Sequence, residues 1–254
     1  MSKINPQELE ALYQAANRRE LISPDPLEFL YAYETVAERE VVGLILSSLA
    51  YGNVRQILKS GAIVLNAMGP SPHEFALKST LSQTLKILKN FKHRWHTGRD
   101  MAYLIEGIGR VLKKHGSIGA CVAKGIGKGE DILGGLDFLV EELGEGMRQN
   151  LVPAPKNNSA CKRLLMYSRW MVRQDAVDPG GWEGILPSQL VVPLDVHMFR
   201  ACRKMGMTRI KQPNLKAALE ITQKFKKICS EDPVRYDFAL TRSGIRRHLD
   251  KPSF

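Results

Sequence analysis

Apolar positions recur along this chain at intervals of three and four, the spacing of one helical face, with no convincing set of alternating strands. The recurrence predicts helices over Pro6 to Arg18, Asp25 to Glu34, Glu38 to Tyr51, Val54 to Met68, Leu81 to Phe91, Arg99 to Lys114, Ile132 to Gln149, Ala160 to Arg173, Val196 to Met205, Leu215 to Cys229 and Pro233 to Ser243. Turn chemistry separates them at 69–72, 152–158 and 178–181, where Gly, Pro, Asn and Ser cluster. Many short helices packed in a globule make an all-α fold. The longest connection without an evident helix of its own is 175–194.

The end of that connection is unusual. Val191 and Val192 are β-branched and Pro193 has a fixed φ and no N–H, so the approach is extended. Val196, Phe199, Cys202 and Met205 then recur at helical spacing until Gly206 stops the helix. Asp195 sits where an N-cap belongs, so this segment aims one carboxylate from a rigid approach. A cap alone is the simpler role for such an Asp.

Composition is that of an ordinary globular protein, 44% apolar and 25% charged, with no apolar run of the roughly 20 residues that cross a bilayer. The polar start Met1 to Glu10 lacks the apolar stretch of a signal peptide, which makes a cytoplasmic location the expectation. Cys121, Cys161, Cys202 and Cys229 are far apart, with no CxxC pair, so neither a zinc site nor an iron–sulfur loop is written and no metal is expected. Charge changes the picture more. Residues 1–150 carry 18 Lys and Arg against 17 Asp and Glu, whereas 151–254 carry 19 against 9, which holds nearly all of the net +11. A localised positive field suits a polyphosphate partner, although a basic surface also serves solubility alone.

Three runs carry a resemblance. Ser159-Ala-Cys-Lys-Arg-Leu-Leu-Met-Tyr-Ser-Arg-Trp-Met-Val-Arg173, Pro193-Leu-Asp-Val-His197 and Glu231-Asp-Pro-Val-Arg-Tyr-Asp-Phe-Ala-Leu240 are similar to an uncharacterised bacterial family, the DUF2400 type, over Ser159 to Ile245. The Val-Pro-Leu-Asp-Val-His run also resembles the strand-to-helix turn of the helix-hairpin-helix DNA glycosylase superfamily. That resemblance implies a two-lobed helical fold with a modified helix-hairpin-helix. Its lobes would be 36–150 and a basic lobe of 1–35 plus 151–254.

In the superfamily the hairpin's backbone N–H groups hold a DNA phosphate. Gly107-Ile-Gly109-Arg110 and Gly125-Ile-Gly-Lys-Gly129 look like such turns, but the better placed is Pro155 to Ser159, which lacks the usual Gly-x-Gly. The resemblance implies that Lys162 is a nucleophile attacking C1′ as a neutral amine, a state that a cationic neighbour such as Arg163 favours. Asp195 would stabilise the charge developing on the sugar. Lys162 stands thirty-three positions before it, a spacing close to that of the archaeal 8-oxoguanine glycosylases. Neither metal nor organic cofactor is then needed.

Other residues fall into place around this pair. Arg163, Tyr167 and Trp170 share one face of the 160–173 helix, where stacking can hold an extruded base, and Trp182 is a further pocket candidate. Lys156, Asn158, Ser159, Arg163, Arg169, Arg173, His197 and Arg200 are candidate DNA contacts, with Lys224, Lys226, Lys227, Arg242, Arg246 and Arg247 as further cations. Leu49, Tyr51 and Asn53 occupy the place of the superfamily's gap-filling residue, although core packing suits Leu49 better. Asp237 lies one turn above Pro233 and could face the site, although the sequence alone does not place it. The expected partner is duplex DNA, the expected activity a glycosylase or AP lyase on a damaged base, and the location nucleoid-associated. A catalytically silent binding protein and an RNA-directed protein are the alternatives.

Overall fold

Residues 40–49 are apolar apart from Glu40, Ser47 and Ser48, and other helices pack around the helix they belong to. A computed structural model describes residues 5–127, 129, 131–157 and 159–242. Its helices are α1 (Pro6–Ala16), α2 (Val36–Leu49), α3 (Val54–Met68), α4 (Pro72–Lys78), α5 (Leu81–Ile87), α6 (Gly98–His115), α7 (Ile118–Ile126), α8 (Leu133–Leu143), α9 (Lys162–Val172), α10 (Val196–Lys204) and α11 (Leu215–Lys226). Residues 237–242 are also helical. Among the described residues the strands are β1 (Lys92–His93) and β2 (His96–Thr97), an antiparallel pair with Lys92 opposite Thr97.

Every residue of α2 from Glu40 to Leu49 is buried, including Glu40, Ser47 and Ser48. Ser47 Oγ and Ser48 Oγ donate to the Leu44 carbonyl, and Glu40 Oε2 accepts from Gly119 N–H at 3.0 Å, whereas Glu40 Oε1 and Arg39 Nε have no partner among the described residues. The 3-10 segment Pro26–Ala32 and the helices α3, α4, α6, α7 and α9 pack around α2. One apolar core runs from Leu9 to Phe238, so α9 and α10 stand on the same foundation as the N-terminal helices.

Two helices fall where the apolar pattern predicts none. Seven residues are too few for α4 to show a period; Ser71 caps it and Pro72 starts it. Within α7 lie Gly119 and Gly125, each costing about 1 kcal/mol in a helix interior. Packing offsets that cost: a Cβ on Gly125 would stand 2.4 Å from Phe138 Cβ, so α7 and α8 meet at a contact only glycine permits. Gly125 is therefore a packing residue and not a hairpin turn; the Gly127 that follows ends α7, and Lys128 lies outside the described residues. Gly107 and Gly109 are likewise interior to α6, where a Cβ would meet the backbone oxygens of Leu143 and Ala76.

Several ends move inward. Gly144, with φ at +73°, stops α8 at Leu143. The stretch 26–32 is 3-10 rather than α, and 233–236 is a turn leading into 237–242, whose expected end at Ser243 lies outside the described residues. The expected helix at 81–91 gives way after Ile87 to the hairpin at 92–97.

Candidate active site

The approach to Asp195 is as rigid as its residues require. Val191, Val192, Pro193 and Leu194 are all buried, and Val192 N–H donates to Thr222 Oγ1 of α11 at 3.0 Å. Asp195 is the N-cap of α10, with extended φ and ψ, and Oδ1 accepts from Met198 N–H at 2.7 Å. The carboxylate thus lies at the positive end of the helix, partly exposed. Met198, Phe199 and Cys202 anchor α10 to the core. Val196 does not: as the first residue of α10 it is 51% exposed, so the apolar stripe begins one turn later than its spacing implies.

Lys162 is the first residue of α9. Cys161 before it adopts a left-handed conformation, φ +45°, uncommon for a residue with a Cβ, and its buried Sγ donates to the Pro153 carbonyl at 3.3 Å. That turn sets the direction in which α9 starts, and Lys162 is left partly exposed.

The two meet in one cleft. Lys162, Asp195, Asp25, Met166, Arg169, Trp170, Pro193, Asp237, Phe238, Thr241 and Arg242 line a narrow space of about 60 Å³, room for a few water molecules. Two buried polar atoms in its wall, Trp170 Nε1 and Asp237 Oδ1, have no hydrogen-bond partner among the described residues. Such atoms call for water or a ligand. Burial raises the Asp237 carboxyl to about 6, with the negative charge of Asp195 adding and Arg169 opposing. Burial also raises Asp25, against its bond from Leu27 N–H and the nearby cations Arg169, Arg242 and Lys162. The cleft therefore brings together one amine and three carboxyl groups, two of which burial pushes up.

The remaining candidates divide sharply. Arg169 and Arg173 are not surface cations. Arg169 Nε lies 3.1 Å from Asp178 Oδ1 and Nη1 pairs with Asp237, while Arg173 reaches Asp175, Asp178 and Asp232. Both are at most 5% exposed, because burial of a guanidinium is tolerated once carboxylates surround it. Tyr167 is fully buried, its hydroxyl donating to the Glu40 carbonyl at 2.8 Å and its ring edge-on to Trp182 at 5.0 Å. Trp182 is buried too, with Nε1 donating to Glu40 Oε2 at 3.1 Å. These two aromatics join α9 and the 175–194 connection to α2 and are not among the residues that line this cleft; Trp170, fully buried, does reach it.

The hairpin candidate is also otherwise engaged. Lys156 N–H donates to Asp137 Oδ1 at 2.9 Å and its ammonium pairs with Glu141 at 2.6 Å, so both face α8. Ser159 Oγ accepts from Cys161 N–H, and Asn158 lies outside the described residues, as do Arg246 and Arg247. Arg163 turns to α2, with Nη1 donating to the Ser48 carbonyl at 2.5 Å. His197 is partly buried and Arg200 is exposed on α10. Leu49 is core, Asn53 caps α3 through Arg55 N–H, and Tyr51 stays partly exposed. Asp25, Met166 and the exposed Trp95 belong to no motif that singles them out in the sequence.

Among the described residues no group of three or more His, Cys, Asp or Glu is placed to hold a metal ion, and no helix is long and apolar enough to cross a membrane. No curated protein and no solved structure matches the chain. A family model described as a protein of unknown function, DUF2400, matches residues 25–246, and its span takes in the approach to α10, the whole of α9 and every residue of the cleft. The chain belongs to the DUF2400 family.

Proposed function

We propose that this protein binds duplex DNA, extrudes a damaged base and cleaves its N-glycosidic bond, with the two-lobed helical fold of the helix-hairpin-helix glycosylases. The observation that carries the reading is the meeting of Lys162 and Asp195 in one cleft whose wall holds two unpartnered polar atoms. The Lys162 amine would attack C1′, the bond to the base would break with its electrons leaving on the base, and a proton from the cleft would neutralise the departing nitrogen. Asp195 would stabilise the positive charge that develops on the sugar. A base needs more room than the cleft now offers, so entry requires partly exposed rim side chains such as Met166 to turn aside.

Borohydride trapping on duplexes carrying 8-oxoguanine, uracil, an oxidised pyrimidine or an abasic site tests this. A covalent adduct with the wild type, lost in Lys162→Ala and reduced in Asp195→Asn, supports the reading. An adduct that persists in Lys162→Ala assigns the nucleophile to another residue. The small volume of the cleft and the engagement of Lys156 by α8 favour a second reading, a nucleic-acid-binding protein without the chemistry. Salt-sensitive binding with no base release on any substrate would select it, and competition with structured RNA would decide its partner.

A further inference from the structure

Trp95 leaves 57% of its surface exposed at the tip of the β1–β2 hairpin. A single exposed apolar residue is ordinary. This one stands on fixed support. His93 and His96, both buried, bind the hairpin to the body through Ser60 Oγ at 2.9 Å and Asn150 Oδ1 at 3.0 Å. The Trp95 indole is parallel to the Tyr51 ring, 4° between planes with centroids 6.0 Å apart, and Tyr51 is held in turn by its hydroxyl on the His93 carbonyl. Guanidinium groups flank the pair: Arg94 lies 4.6 Å from the indole and Arg163 lies 5.0 Å from the Tyr51 ring.

The position of this group is as telling as its composition. Arg163 follows Lys162 directly, about 100° further round the first turn of α9, so the aromatic pair and the cleft flank the same helix end. Parallel aromatic planes with guanidinium neighbours, rigid and open to solvent, are what unpaired bases stack upon.

We propose that Trp95 and Tyr51, with Arg94 and Arg163, form a stacking platform for the unpaired base that remains in a DNA duplex opened at the cleft. This rests on the reading of the protein as one that opens duplex DNA. Trp95 is a positioning residue: it holds the opened duplex in register and touches no reacting atom.

The test compares wild type, Trp95→Ala and Trp95→Phe for binding to a labelled duplex with one bulged thymidine and to the same duplex fully paired, at fixed salt. The expected result is a preference for the bulged duplex that falls about tenfold in Trp95→Ala, survives largely in Trp95→Phe, and leaves the salt slope unchanged because no phosphate contact is removed. Trp170 and Trp182 are buried, so the emission that disappears in Trp95→Ala belongs to Trp95, and acrylamide quenching of it should fall in the complex. Bulged and paired duplexes bound alike by wild type and Trp95→Ala, or an indole fully open to acrylamide in the complex, would overturn the platform. Base release with unaltered binding by Trp95→Ala removes the platform and keeps the glycosylase reading. Trp95-dependent binding without base release does the reverse. Failure to bind any of these duplexes removes both.

Discussion

Arg169 reaches Asp237 across 68 positions of the chain, and that pairing holds the C-terminal helical segment over the cleft that contains Lys162. On its other side the same guanidinium meets Asp178, so α9, the 175–194 connection and the C-terminal segment share one buried cation.

Replacing Arg169 by Ala leaves Asp237 buried without its cation, while Asp178 keeps Arg173. Breaking a buried pair from one side costs about 3–5 kcal/mol. Urea unfolding of Arg169→Ala should show a loss of that size. A loss below about 1 kcal/mol would mean that water reaches the carboxylates once the guanidinium is gone.

The Asp237 carboxyl, raised by burial from its ordinary 3.8 to about 6, gives the protein a pH signature. A raised folded value means that the native state binds more protons, so its stabilising contribution is complete below about pH 4 and is lost as pH rises through 6. Between pH 4 and 6 the wild type should therefore lose stability relative to Asp237→Asn. Parallel stability curves for the two proteins over that window would contradict the assignment.

His93 and His96 act in the opposite sense. Burial lowers both, with their bonds to Tyr51 and Asn150 opposing, so their contribution is present at neutral pH and is lost as pH falls below the ordinary histidine value of about 6.5. Acidification towards pH 5 should loosen the hairpin and weaken the near-ultraviolet circular dichroism that arises from the Tyr51–Trp95 pair, before the helical signal changes. Simultaneous loss of both signals would show that the hairpin is not an independent unit.

Gly109 tests the distinction between a turn and a packing site. A methyl group there would stand 2.1 Å from the Ala76 carbonyl oxygen, which is backbone and cannot swing away. Gly109→Ala should destabilise by about 1–3 kcal/mol even though alanine is the better helix former. An unchanged or higher midpoint of thermal unfolding would mean that α4 yields to the added atom.

Local chemistry determined part of this protein without help from the fold. Helix α3 runs from Val54 to Met68 as its apolar spacing requires, and α1 and α10 begin at the expected Pro6 and Val196, because a period repeated over several turns outweighs any single residue. The N-cap at Asp195 was legible for the same reason: a cap bonds within three residues of itself. Helix α7 and the two-residue strands were not, since glycine hides a helix whose stability comes from its neighbours and a strand pair this short has no period. Nor does sequence say which charges lie inside. Arg169 and Arg173 read as surface cations, and only the convergence of Asp178, Asp232 and Asp237 takes them into the core. The cleft belongs to the same class of fact. Each of its walls is written locally, but Lys162, Asp195 and Asp237 come together because α9, α10 and the C-terminal segment pack on one core, and contact between distant segments is a property of that packing rather than of any spacing along the chain.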